Sequence, residues 1–148
     1  MPADLTRLFS GTMAGMPDRT ELEGFYRRYN AACNDHRFDR LGEFVAEDVR
    51  VNGEVQGLAG YVAGLREVVG AFPDYRWDVR HLLVDGDWVA AHFVDTGTHR
   101  GPAFGVAATG RAVRTQEFAF YRIAGGRIAE VWVAADNLRT LDQLRDPS

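Results

Sequence analysis

The fold is decided by the stretch VRTQEFAFYRIAGGRIAEVWVAAD, residues 113–136. Apolar and polar residues alternate on both sides of Gly125-Gly126, and this is the pattern of two strands joined by a tight turn. The two glycines supply the positive φ angles that such a turn needs. The sequence therefore predicts an antiparallel hairpin with strands over 113–123 and 128–136.

A second hairpin is predicted just before this one. Its first strand begins after Pro73, Asp85-Gly86-Asp87 is the turn, and the return strand runs from Trp88 to about Thr98. Residues 101–110 are rich in glycine and long enough to form a flap over one end of the sheet. The alternation predicts one shared face for the first strand, namely Tyr75, Trp77, Val79, His81 and Leu83.

Helical spacing dominates the chain before Pro73. A helix is predicted from Thr20, which forms a capping-box pattern with Glu23; a short helix is predicted over 38–45, and a third from Leu58 to Phe72. A brief strand at 49–51 and a closing helix at 138–144 complete the pattern. Three helices followed by an antiparallel meander predict an α+β fold. We expect one domain over 18–146, with residues 1–17 as a flexible lead-in or dimer arm.

Composition excludes several classes of function. The 148 residues are 46% hydrophobic and 26% charged, and the net charge of -4 argues against nucleic acid or an anionic membrane as partner. Cys33 is the only cysteine, and the four histidines lack the spacing of a zinc site, so no metal site is predicted. No signal peptide or membrane-spanning run is present, so we expect a soluble, cytoplasmic protein.

Strand parity predicts a pocket on one face of the second hairpin. A hairpin without a bulge places Glu117 opposite Ala134, Ala119 opposite Trp132 and Thr115 opposite Asp136. The shared face then mixes carboxylates, aromatic rings and small residues, which suits a ligand cavity better than a packed core. The other face is apolar and is expected to be a dimer interface or a second packing layer. It would contain Phe118, Phe120, Val131, Val133 and Ala135.

Asp136 is the residue that this face favours for acid–base chemistry. Burial and a second carboxylate at Glu117 would raise its pKa and make it a stronger base. Two alternatives stay open from the residues alone. Asp136 ends a strand and could simply cap the closing helix, and a one-residue bulge would exchange the two faces of the hairpin.

The sequence resembles a known family at several points in order. The matching segments include Gly97-Thr98-His99-Arg100-Gly101, Thr109-Gly110-Arg111, Phe120-Tyr121-Arg122-Ile123 and the run from Gly126 to Asp136. Over roughly Glu21 to Leu144 the chain resembles a SnoaL-like polyketide cyclase (ester cyclase) domain of the nuclear transport factor 2-like superfamily.

This resemblance implies a curved antiparallel sheet that helices wrap into a cone, a homodimer formed through the sheet, and no cofactor. It also implies that the aspartate of a Trp-x-x-x-Asp motif, here Trp132 to Asp136, is the acid–base in an intramolecular aldol ring closure. Related sequences often carry a histidine beside this tryptophan or after the first strand, where this chain has Val131 and Asn52.

Together the residues and the resemblance predict a set of site residues. The predicted catalytic residues are Asp136, Glu117 and His99. The predicted substrate-binding residues are Trp132, Tyr121, Tyr29, Phe25, Gln116 and Asn34.

The predicted function is ring closure of a hydrophobic, polyketide-like substrate in bacterial secondary metabolism. One alternative is an epoxide hydrolase or an epoxide-opening polyether cyclase, which needs one protonated and one ionised carboxyl. Glu117 with Asp136, or Asp35 with Asp95, could supply that pair. The other alternative is a module that binds a ligand or dimerises without catalysis.

Overall fold

The computed structural model describes residues 17–145. Except for Pro17, the predicted lead-in over 1–17 lies outside the described residues. Helix α1 is Arg19–Asn34, a 3-10 helix covers Phe38–Glu43, α2 is Gly57–Ala71 and α3 is Asn137–Arg145. The strands are β1 (Val45–Val51), β2 (Glu54–Val55), β3 (Arg76–Asp85), β4 (Trp88–Thr98), β5 (Ala112–Ala124) and β6 (Arg127–Ala135).

The six strands form one sheet in the order β2-β1-β6-β5-β4-β3. Every neighbouring pair is antiparallel except β1 and β6, which are parallel, so the N-terminal strand that extends the predicted meander runs in the same direction as β6. Both predicted hairpins are confirmed, and Gly86, Gly125 and Gly126 have positive φ angles in their turns.

The core lies between α1, the 3-10 helix and the inner face of the sheet. Leu22, Tyr26, Tyr29 and Cys33 recur at helical spacing and bury one face of α1. The N-cap of α1 is Asp18, whose carboxylate accepts a hydrogen bond from the Glu21 amide at 2.8 Å. The predicted capping box at Thr20 is therefore wrong, since the helix begins one residue before it.

A β-bulge changes the face of β6. Ile123 pairs with Ile128, but Arg122 pairs with Glu130, so Ala129 is an extra residue in β6. Beyond the bulge Glu117 faces Ala135 and Ala119 faces Val133. The predicted pairs of Glu117 with Ala134 and of Thr115 with Asp136 are wrong because the bulge exchanges the two faces of β6.

A second bulge lies in β3. Val79 pairs with Phe93 and His81 pairs with His92, which leaves Arg80 as the extra residue. Trp77 and Val79 pack on the core as predicted, but beyond the bulge Leu82 takes that position. His81 and Leu83 are exposed, contrary to the shared face predicted for this strand.

Candidate functional site

A cavity lies between the helices and the inner face of the sheet. Its first lobe, of about 220 Å³, is enclosed by α1, α2 and strands β3 to β6. Six aromatic side chains contribute to its wall: Tyr26, Tyr29, Tyr61, Trp77, Phe93 and Tyr121. Asn30, Cys33 and Gln56 add polar groups. This lobe is a largely apolar chamber of the kind that holds small organic ligands.

A second lobe, of about 460 Å³, continues toward the flap. It is bounded by the end of α2, by Pro102, Ala103 and Phe104 of the flap, and by the ends of β5 and β6. The two lobes share four lining residues, Leu65, Val68, Trp77 and Glu117. Glu117 therefore lies where the two lobes meet.

A pair of carboxyl groups lies at this junction. Glu117 is half-buried on β5, and Asp95 of β4 is fully buried. Asp95 pairs with Thr115 and Phe93 with Glu117, so the two acids are diagonal neighbours on the inner face. The Tyr75 hydroxyl donates a hydrogen bond of 3.1 Å to Asp95 Oδ2. Glu117 is thus the member that meets the cavity, and Asp95 lies beneath it.

Burial raises the pKa of both acids. Desolvation is the main cause for each, and the nearby Asp95 charge raises the pKa of Glu117 further. The proximity of the two carboxyls lowers the pKa of Asp95 and raises that of Glu117, and Asp95 Oδ1 has no hydrogen-bond partner among residues 17–145. These effects together favour retention of a proton by the carboxyl pair near neutral pH. Among residues 17–145 no arginine lines either lobe to act as counterion.

Phenol groups provide neutral hydrogen-bond donors in the first lobe. The hydroxyls of Tyr29 and Tyr61 are hydrogen-bonded to each other. The Tyr26 hydroxyl is buried and has no hydrogen-bond partner among the residues that the structure describes. Desolvation raises the pKa of Tyr26, Tyr29 and Tyr121 well above the ordinary range, so these phenols keep their protons.

Three of the predicted site residues line the cavity. Glu117, Tyr121 and Tyr29 all face the first lobe. Their positions follow from the parity of β5 and the helical face of α1, which no bulge disturbs. Phe25 is half-buried and packs on Phe44, with ring centroids 5.7 Å apart.

Asp136 lies outside the cavity. It is exposed, its carboxylate accepts a hydrogen bond of 3.1 Å from the Arg139 amide, and its carbonyl accepts one from the Thr140 amide. These contacts are those of an N-cap residue for α3. The prediction that Asp136 faces the cavity is therefore corrected, because the bulge at Ala129 exchanges the two faces of β6. The contacts of Asp136 are those of a helix cap.

Trp132 and Gln116 lie on the outer face of the sheet. Trp132 is 43% exposed, and its indole donates a hydrogen bond to Glu130 at 2.8 Å. The Gln116 side-chain oxygen is 2.8 Å from His92 Nε2. Their predicted position in the pocket is therefore corrected. The bulge at Ala129 places Trp132 on the outer face. Gln116 precedes Glu117 on β5, and because neighbouring residues of a strand point to opposite faces, Gln116 lies outside while Glu117 lies inside.

His99 and Asn34 have structural contacts. The buried His99 ring accepts a hydrogen bond from the Thr109 amide through Nδ1, and its Nε2 has no partner within residues 17–145. The Asn34 side chain forms two hydrogen bonds with the backbone of Trp77, at 2.8 and 2.9 Å. His99 thus holds the base of the flap, and Asn34 joins α1 to β3.

Sequence reasoning named Asp95 only in an alternative pair with Asp35, and it did not anticipate the pairing with Glu117. Asp35 is exposed at the end of α1. The signal for Asp95 is its parity, since it follows Val89, Ala91 and Phe93 on the inward positions of β4. A carboxylate on the buried face of a strand calls for a polar partner.

Within 17–145 there is no cluster of three or more histidine, cysteine, aspartate or glutamate side chains arranged to bind a metal ion. None of the helices described is both long and apolar enough to cross a membrane.

The curved, unclosed sheet and the helices around one cavity define the nuclear transport factor 2-like class of α+β fold. Within that class, the family model of SnoaL-like polyketide cyclases matches residues 23–144. The chain belongs to the SnoaL-like polyketide cyclase family. The fold and the family expected from the sequence are thereby confirmed.

Solved structures support the same assignment. A SnoaL-like polyketide cyclase from Agrobacterium tumefaciens is 31% identical with a TM-score of 0.76, over 83% of this chain and 97% of that one. IdmH from Streptomyces antibioticus is 27% identical with a TM-score of 0.75, over 82% and 96%. TsrD from Streptomyces laurentii is 25% identical with a TM-score of 0.79, over 87% and 98%. No curated protein matches the chain.

Proposed function

We propose that this chain is a cofactor-independent cyclase of bacterial secondary metabolism that closes a ring in a hydrophobic, polyketide-like substrate. Glu117 acts as the catalytic acid and base. Asp95 positions the proton of Glu117 and holds that proton temporarily during the reaction. The observation that carries the proposal is the carboxyl pair at the junction of an aromatic-lined cavity. Acid–base groups with strongly raised pKa values in a cleft are characteristic of active sites.

A single proton shared by this carboxyl pair is sufficient for an aldol ring closure. One Glu117 oxygen takes the α-proton of the substrate while the proton of Glu117 passes to Asp95. The enolate carbon then attacks a carbonyl carbon of the same molecule and forms the new carbon–carbon bond. Glu117 protonates the resulting alkoxide, and Asp95 returns the stored proton, so the pair ends as it began.

The tyrosine hydroxyls can donate hydrogen bonds that stabilise the enolate. Negative charge develops on the enolate oxygen, and hydroxyl donors in a dry cavity stabilise such charge. The Tyr26 hydroxyl has no hydrogen-bond partner within residues 17–145, and Tyr29 and Tyr61 share one hydrogen bond between two phenols. The apolar wall and the lack of a lining cation favour an uncharged substrate.

Epoxide opening is the second candidate, and one observation favours it. The two carboxyls are neighbours with raised pKa values, which favours one protonated and one ionised member, as this reaction needs. Glu117 would protonate the epoxide oxygen as a water or a substrate hydroxyl attacks the carbon. The proton of that nucleophile would return to the carboxyl pair through Glu117, which lines the cavity.

Carboxylate-to-amide variants test the proposal. The measurement is product formation, by mass spectrometry, from a linear polyketone ester and from a neutral epoxide. For the aldol reaction we expect Glu117→Gln to lose turnover and Asp95→Asn to keep a residual rate, since Asp95 lies beneath Glu117. Epoxide opening predicts that either change abolishes turnover. Asp136→Asn is the matched control and should remain active; its inactivation in a folded protein would reject the assignment.

We also propose a homodimer formed through the outer face of the sheet. Phe118, Phe120 and Trp132 are 55%, 57% and 43% exposed on neighbouring strands there. Apolar patches of this kind mark association surfaces. Light scattering should give twice the chain mass for wild type and a monomer for Phe120→Glu. A monomeric wild type at micromolar concentration would contradict the dimer.

A further inference from the structure

The tip of the flap forms one wall of the second lobe. Pro102, Ala103 and Phe104 line it, and Phe104 is 47% exposed, so an aromatic ring stands at the mouth of the cavity. The opposite wall is made by α2 residues, among them Leu65 and Val68. A ligand that extends past Glu117 into this lobe would contact the Phe104 side chain.

The backbone at Phe104 is in an unusual conformation. Its φ is +52° and that of Gly105 is +71°, which places both residues in the left-handed region. That region is unfavourable for a bulky residue, and such strain is found at ligand clamps and switch regions. Two hydrogen bonds between Ala103 and Val106, of 3.0 and 2.8 Å, close the turn around Phe104. An aromatic side chain therefore occupies a position that suits glycine or asparagine.

The base of the flap is held firmly. The amides of Arg100 and Gly101 both donate to the Ala71 carbonyl, at 2.9 and 3.0 Å. A Cβ atom on Gly101 would come within 2.5 Å of the Gly70 carbonyl oxygen, so only glycine permits this approach. With its base fixed against α2, the flap can move mainly at its tip.

We propose that Phe104 closes the second lobe over the apolar tail of the substrate and so sets the length of molecule that the enzyme accepts. The ligand class is an elongated, uncharged molecule. Its compact end lies among the aromatic residues of the first lobe, its reacting carbon lies at Glu117, and its tail passes under Phe104. The inference deepens the proposed function and rests on it for the reacting carbon, but it concerns binding alone.

The lining of the second lobe supports an apolar tail. Phe72, Ala135 and the flap residues add apolar surface to Leu65 and Val68. Glu67, Thr115, Asn137 and Thr140 are polar members of the same lining, and among residues 17–145 no arginine lines the lobe. Each methylene group that enters such surface should tighten binding roughly fourfold. Affinity should therefore rise with tail length until both lobes are filled.

The probes are ω-phenyl-1-alkanols from 3-phenylpropanol to 8-phenyloctanol. Trp77 lines both lobes and serves as the fluorescent reporter in a Trp88→Phe/Trp132→Phe background, which removes the other two tryptophans. Phe104→Asn keeps a residue that tolerates positive φ and removes the ring. We expect it to bind the shortest probe as wild type does and the longest at least tenfold more weakly, and Phe104→Leu to restore most of that loss.

Leu138→Asn is the control, because Leu138 is 77% exposed on α3 and is not among the residues that line either lobe. An equal loss for every probe length in Phe104→Asn would indicate a structural role and overturn the inference. No loss at any length would overturn it too. Glu117→Gln should lose turnover but keep the length dependence of binding. A Glu117→Gln variant that keeps both turnover and length dependence rejects only the catalytic proposal, whereas one that loses turnover while Phe104→Asn shows no length-dependent loss rejects only this inference.

Discussion

The Glu117→Gln variant is expected to be nearly inactive and yet more stable than wild type at pH 8. Loss of a positioned acid–base group lowers turnover by about 10²–10⁴-fold. The gain in stability has a different cause. Burial raises the pKa of Glu117 to about 9, whereas a glutamate in the unfolded chain has a pKa near 4.3.

The sign of the pH effect follows from counting protons. Between about pH 4.3 and pH 9 the folded chain holds a proton on Glu117 that the unfolded chain has released. The free energy of unfolding therefore falls as the pH rises through this range. The raised pKa of Asp95, about 6, acts in the same direction at the acidic end. Glutamine has no proton to lose, so its variant should keep stability that wild type loses.

Urea titrations at pH 5, 7 and 9 measure this difference. The wild-type free energy of unfolding should decline more steeply with pH than that of Glu117→Gln. Glu67→Gln is the matched control, because Glu67 is exposed at the rim of the second lobe, and it should follow the wild-type slope. Equal slopes for wild type and Glu117→Gln would show that Glu117 does not keep its proton in the folded state.

Val131→Asn is expected to destabilise the protein by about 3–5 kcal/mol, since it removes a buried apolar side chain and leaves an amide without water. Val131 is 2% exposed, beyond the bulge on the inner face of β6. Its neighbour Trp132 is 43% exposed on the outer face of the single chain, so in the monomeric Phe120→Glu background Trp132→Asn should cost about 1 kcal/mol or less.

Chemical denaturation of both variants decides the register of β6. A hairpin without the bulge would exchange the two residues and reverse the order of the two effects. A Trp132→Asn variant that loses more stability than Val131→Asn would therefore contradict the bulge at Ala129. Without that bulge, Asp136 would face the cavity.

The kinds of element could be predicted from the sequence because each has a local cause. Pro73 ends α2, and Gly86, Gly125 and Gly126 make the turns. Glu117 could be assigned to the inner face because Ala119 and Tyr121 fix the parity of its own strand. These inferences use only short-range patterns.

The site as a whole could not be predicted, because it depends on pairing between strands. One extra residue, Ala129 in β6 or Arg80 in β3, turns every later side chain of its strand to the opposite face of the sheet. No local sequence preference indicates a bulge at either position. Asp136 and Trp132 were misplaced for that reason. Predicting that Asp95 lies next to Glu117 requires the register of β4 against β5, and the sequence of neither strand specifies that register alone.

The contact between Asn34 and Trp77 has a consequence for how copies of this protein behave at high concentration. Strand β3 is at the edge of the sheet, and a free edge can recruit a strand from another molecule. The Asn34 amide donates to the Trp77 carbonyl and accepts from the Trp77 amide, so one side chain takes the place of a neighbouring strand there. The bulge at Arg80 interrupts the same edge further along. Protection against aggregation is thus built into the edge by a residue first expected to bind substrate.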